Sequence, residues 1–372
     1  MPIDVNISRM ESKLRTAINA AESHSTARCK IAELAAYSAR LGKFDDARRE
    51  LSGLRQVCRN VDEIELSVRI NFAEGLLDYF ENGGVCGADK MQRAHAIALA
   101  AGTGSLAALC AAWMAQFAYA KLDVNGMAAY VAEAIRFSLK SDNAALARAC
   151  LVVAQALHLA GRFDFAQDWY RLSKHHATED QDDATISAHM HNMSWLHMLS
   201  LRQVVLSGAN NSEAISPALS TAESSARYDA LWKDASWSEL RPVLRAQIFS
   251  LQGDVIKAGS LYREMLLDVG IAKRLQPSLL ADKAWCHACV GDYDLSDECA
   301  RSAVESIDES VHMDDLAATH SRLASTYRIL GKVDLADNHT SIAANRWQEF
   351  RVLQAQIVNI FSKLPKVSDS NT

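Results

Sequence analysis

Proline is scarce in this chain, five residues in 372 against 60 alanines, which argues against a loop-rich or β-rich architecture and for helix. A hydrophobic run long enough for a membrane is missing as well: the longest apolar stretch, Leu106 to Ala115, is alanine-rich and falls short of a bilayer span. The opening MPIDVNISRM lacks the basic-then-apolar order of an export signal, so a cytoplasmic chain without membrane attachment is expected. Positive charge is in deficit, with 39 Lys and Arg against 45 Asp and Glu, for a formal charge of -6. No Lys/Arg run offsets this, so nucleic acid is not an expected partner.

Catalytic signatures are absent too. There is no Gly-x-Ser-x-Gly and no His-Glu-x-x-His, and the glycine-bearing NGGVCGADK and GTGS lack the Gly-Lys-Ser/Thr ending of a phosphate loop. The eight cysteines are scattered through apolar helical text, a pattern of buried thiols rather than disulfides. Cys286 and Cys289, with Cys299 and His312 downstream, offer four metal ligands, but the first two fall inside a regular helical segment as small hydrophobes. His189, His191 and His197 do not repeat one helical turn apart, since Met193 and Trp195 stand four residues beyond the first two. The acid pairs Asp182–Asp183 and Asp314–Asp315 precede helices and read as caps. No catalytic residue, metal or cofactor is assigned, and a metal-dependent enzyme is the weakest functional reading.

What is present is a folded composition, 49% hydrophobic and 23% charged, long enough for two or three compact domains or one extended array. Internal recurrence favours the array. The corner LGKFDDA at Leu41 returns as AGRFDFA at Ala160 and LGKVDLA at Leu330. Counting from Gly42, equivalent markers fall at Gly83, Leu122, Gly161, Leu201, Gly253, Gly291 and Gly331, at intervals near 40 except one of 52. Seven residues before them stand Ala35, Leu76, Ala115, Ala154, Ser194, Ala246, Ala284 and Ala324; five after the same markers, Ala47, Ala88, Ala166, Ala258 and Ala336 recur. Each unit therefore reads as a helix hairpin whose small residues let the two helices approach. Glycine ends the first helix, and Asp45, Asp164, Asp294 and Asp334 stand where they can cap the second.

This order of small residue, glycine, aromatic and alanine resembles the tetratricopeptide repeat, in a form longer than that family's usual period of about 34 residues. HEAT-type repeats match the length but lack the order. Arrays of the longer form resemble those of bacterial regulatory and sensor proteins. The resemblance implies an all-α fold: a right-handed α-solenoid of about eight antiparallel hairpins over residues 25–345. An N-terminal capping helix is expected within residues 1–24, a C-terminal one within 346–364, and a disordered tail at 365–372. The long interval holds SGANNSEAISPALS, Ser207 to Ser220, which reads as an enlarged loop. The closing helix carries Trp347, Phe350, Leu353, Ile357, Ile360, Phe361 and Leu364 on one stripe, for covering the last unit or for docking a second copy as a homodimer.

In this family the residues ten, six and three before each corner line the concave groove. Carried over, that implies Gln116 and Tyr119, Gln155 and His158, His191 and Trp195, Gln247, Trp285 and Arg328 as the ligand- or partner-contacting set. Amides and aromatics in successive units suit an extended or helical peptide. The expected function is thus a non-catalytic adaptor or regulator that binds a protein or peptide in its groove. A peptide- or metabolite-sensing switch of the Rap-like kind is the alternative.

Overall fold

A computed structural model describes residues 8–58, 63–82, 84, 86–208, 240–264 and 271–364. Among the described residues the chain is all-α, with sixteen helices packed mostly against their sequence neighbours, the pattern of a helical repeat array. They are α1 Arg9–Asn19, α2 His24–Arg40, α3 Phe44–Cys58, α4 Ile64–Glu81, α5 Ala88–Ala100, α6 Gly104–Ala120, α7 Val124–Phe137, α8 Asn143–Leu159, α9 Phe163–Glu179 and α10 Asp183–Leu206. There follow α11 Leu240–Gln252, α12 Val255–Glu264, α13 Ile271–Val290, α14 Tyr293–Glu305, α15 Met313–Ile329 and α16 Val333–Phe361. None is long and apolar enough to cross a membrane.

Six of the eight expected corners, at Gly42, Leu122, Gly161, Gly253, Gly291 and Gly331, take the left-handed backbone of a helix end, and the one at Gly83 lies outside the described residues. Gly161 is left-handed at φ 73, and the Arg162 amide reaches back five residues to the Leu157 carbonyl at 2.9 Å, consuming a carbonyl that the helix end would leave unbonded. Leu122 makes the same corner without glycine, at φ 55, with the Asp123 amide bonded to Ala118. The small residues flanking these corners sit at the helix crossings: Ala35, Ala47, Ala115, Ala154, Ala166, Ala246, Ala258 and Ala284 are all fully buried. Ser296, in place of alanine, donates its hydroxyl across the crossing to the Ala284 carbonyl at 2.9 Å. The hydroxyl thereby satisfies itself at a distance only a small pair permits.

Three expectations need correction. Leu201 is no corner but lies buried inside α10, which runs for 24 residues and turns at Gly208, so the irregular spacing begins within the fifth hairpin. Asp45, Asp164, Asp294 and Asp334 are not N-caps; they lie inside the first turn, where an acid interacts favourably with the helix dipole instead. Residues from Arg346 onward form no separate helix, because α16 continues unbroken from Val333 through 29 residues. The loop expected after Gly208 and the tail at 365–372 lie outside the described residues.

Contacts between distant parts of the sequence close the array. Helix α16 packs against α7 and α8, and α15 against α10. Trp347, Phe350, Leu353, Ile357 and Phe361 share one apolar core with Leu151, Leu157 and Val131, so the closing stripe is buried within the chain. At the other end α1 spans from α2 to the start of α10, with Met10 and Leu14 packed on Leu34, Tyr37 and Ala184.

Candidate functional site

The closing contacts bring distant parts of the chain around a partly open cavity. Helices α2, α4, α6, α8 and α10 bring Arg40, Tyr79, Trp113, Gln116, Tyr119, Arg148, Gln155, His191 and Trp195 around a cavity of about 160 Å³. Its far side is built from a distant part of the chain: Arg274 of α13 with His312, Asp314 and Asp315 at the start of α15. A second, more open cavity of about 610 Å³ lies between α1, α2, α4, α6 and α8. Arg40, Trp113 and Arg148 line both, so these three side chains form the wall between them.

The acid pairs at two helix starts clamp this region. Asp182 caps α10 by accepting from the Thr185 amide at 3.0 Å and also receives the Arg40 guanidinium at 2.9 and 3.0 Å. Burial opposes its ionisation, but Arg40 and Thr185 outweigh it and hold the carboxyl below its usual range. Its neighbour Asp183 accepts from the Arg9 amide and side chain. At the start of α15, Asp314 and Asp315 receive Arg202 at 2.9 and 2.7 Å. Burial and then the adjacent Asp315 push Asp314 up to about 6, whereas Asp315 is held below its usual range by Arg202 and Arg274 against the effect of burial. Of these four acids, expected from the sequence as caps, only Asp182 is an N-cap; Asp183, Asp314 and Asp315 lie inside the first turns of α10 and α15, and each pair ties its helix to an arginine more than a hundred residues away.

Of the nine residues nominated from the sequence, five line the smaller cavity: Gln116, Tyr119, Gln155, His191 and Trp195. Gln116 donates to the Tyr79 hydroxyl at 3.3 Å, yet its amide oxygen and that of Gln155 are buried without a hydrogen-bond partner. Gln247, at the same repeat position, is 1% exposed with neither end of its amide bonded, but lies away from both cavities. His158 is taken up by Tyr170 and His197. Trp285 packs beneath the Arg322 guanidinium at 4.1 Å, and Arg328 is exposed beside Thr340.

The cysteine and histidine groups do not assemble as ligands. All eight cysteines are free; Cys286 is buried and Cys289 exposed, and burial pushes the Cys110, Cys150 and Cys286 thiols up to about 12, away from the nucleophilic thiolate. His312 instead joins Asp314 and Asp315, their ligand atoms within 4.8 Å of one another, the one such group among the described residues. Arg202 already supplies a cation to both carboxylates there.

Sequence reasoning missed Arg148, Trp113, Arg40 and Arg274. Arg148 stands thirteen residues before Gly161, one helical turn beyond the offsets sampled and on the same face. The signal was available: other units carry Cys29, Ile70, Leu109, Ser278 and Ala318 there, and a charge among them is out of pattern. No protein-family model matches the chain, and no curated protein matches it.

Proposed function

We propose that this chain is a non-catalytic binding protein, a tetratricopeptide-like, right-handed array that holds a short peptide or the end of a partner protein in its central cavity. The reading rests chiefly on the Gln116 and Gln155 amide oxygens, buried without partners on two residues that hold equivalent positions in successive units and line one cavity. Leaving a buried acceptor unbonded costs about 1–3 kcal/mol, so a ligand bringing N–H groups recovers that loss on binding. A peptide backbone supplies such donors in extended series, and the half-buried Trp195 offers apolar surface for its side chains. Equilibrium titration against a pooled short-peptide library tests this. Gln116→Ala and Gln155→Ala are expected to weaken the bound fraction by tenfold or more and Trp285→Ala, outside the cavities, to leave it unchanged; the reverse pattern would place the site elsewhere.

The sensing-switch reading draws support from a different observation. The cavity wall joins α2 to α10 on one side with α13 and α15 on the other, so an occupant touches two distant parts of the array. A ligand that fits one spacing of these walls better than another shifts the array toward it. Small-angle scattering with and without a bound peptide checks this, and an unchanged radius of gyration would reject the switch while leaving the binding site intact.

A further inference from the structure

The charges around the smaller cavity are matched, with one exception. Arg40 is answered by Asp182 and Arg202 by Asp314 and Asp315, while Arg274, 3.2 Å from His312, makes no ion pair among the described residues but lies close enough to the same two carboxylates to favour their ionised forms. Arg148 has no carboxylate within ion-pair reach and no hydrogen bond to any described residue, although the residue is only 5% exposed. Its guanidinium carbon lies over the Trp113 ring, 3.9 Å from the centroid. Stacking of that kind uses the π-face of the cation and leaves its N–H edge for in-plane bonds. Burial, then repulsion from Arg40, brings its pKa down to about 9, consistent with a cation held without an anion. Buried cations are ordinarily paired; this one opens instead onto both cavities.

Building on the peptide-binding reading above, we propose that Arg148 anchors the carboxylate of the bound ligand, with the Gln116 and Gln155 amide oxygens receiving N–H groups next to it. One unmatched positive charge fits a monoanion better than a phosphate dianion, and the planar edge of a guanidinium fits the two oxygens of a carboxylate. A peptide C-terminus presents this chemistry, the carboxylate followed along the chain by backbone N–H. A free amino or keto acid presents the carboxylate alone or with one donor group.

The test uses the full chain with three probes: a pooled tri- to pentapeptide library with free C-termini, the same library amidated, and a panel of free amino and keto acids. Binding is read by native mass spectrometry and thermal shift. Wild-type protein is expected to retain free-acid peptides and to bind their amidated forms at least tenfold more weakly. Retention of the small acids alone would keep the carboxylate anchor and overturn the peptide reading. Equal binding of acid and amide would overturn the anchor and leave the peptide reading standing, and no binder in any pool would overturn both. Arg148→Met supplies a second readout. Removing an unmatched buried charge is expected to raise the melting temperature of the unliganded protein while abolishing discrimination between acid and amide, and Arg148→Lys is expected to restore part of that discrimination. A lowered melting temperature in Arg148→Met, with acid binding retained, would show that the guanidinium serves packing on Trp113 and would overturn the proposal.

Discussion

The Nε2 of His158 and the Nδ1 of His197 face each other at 2.8 Å, and the remaining ring nitrogen of His158 lies 3.1 Å from the Tyr170 hydroxyl. Two neutral imidazoles so placed share one proton in their hydrogen bond, and protonating both rings would bring like charges together in a buried setting. Burial first, and His197 second, hold His158 at about 3; burial likewise lowers His197. His189, His312 and His320 are brought to about 4, burial again being the leading cause. The unfolded chain takes up protons near pH 6.5, whereas these folded side chains resist until well below it. Stability from these groups is therefore full above about pH 6.5 and is lost as pH falls toward 3 to 4. Urea midpoints at pH 7.5, 6 and 5 should decline in that order, each tenfold difference in proton affinity being worth about 1.4 kcal/mol. His158→Gln should flatten the slope, and a midpoint constant from pH 7.5 to 5 would remove the argument.

How much of this was legible in the sequence depends on the range of the interaction. The corners at Gly42, Gly161 and Gly331, and the buried alanines beside them, are local features: one backbone conformation and one helix crossing each, written within about twelve residues. Closure is not local. Nothing near Arg202 announces Asp314 and Asp315, and nothing near Leu159 announces that Gln354 will donate to its carbonyl at 2.9 Å. The same limit applied to the site: offsets within one unit found Gln116 and Gln155, but Arg274 enters the cavity from another part of the array. The α10 corner was misplaced for a third reason, a helix extended past the repeat length, which a fixed-interval count cannot follow.

Arg202 is 2% exposed and faces two carboxylates that are also buried. Arg202→Met would leave Asp314 and Asp315 side by side without that cation, and a cost of about 3–5 kcal/mol is expected in denaturant titration. Adding Asp315→Asn should recover a large share, because it removes the stranded charge along with its repulsion. Additive losses in the double-mutant cycle would mean that the three groups do not act as a unit.

Gln181 holds φ 61 at the exposed corner between α9 and α10, a conformation that crowds its Cβ. Gln181→Gly is therefore expected to stabilise the chain, by up to about 1 kcal/mol, with relief of the folded backbone exceeding the added freedom of the unfolded one. A thermal midpoint that falls in Gln181→Gly would show that the flexibility gained by the unfolded state dominates. Leu122 shares the left-handed geometry but packs against the core, so the same change there also loses contacts and gives a less direct test.

Trp347 tests whether α16 closes the array or merely covers its last hairpin. The residue is 3% exposed, its indole N–H donates to Ser321 at 3.1 Å, and its ring belongs to the core that also holds Leu151 and Leu157 of α8. Trp347→Ala is expected to cost about 3–5 kcal/mol. Val352→Ala, on the exposed side of the same helix, should stay within about 0.5 kcal/mol. Hydrogen exchange separates the two roles. If α16 closes the array, α7 and α8 should lose amide protection together with α15 in Trp347→Ala, since those helices pack directly against α16. Protection lost in α15 and α16 alone would reduce the long helix to a local cover and leave the central cavity without its far wall as a stabilised feature.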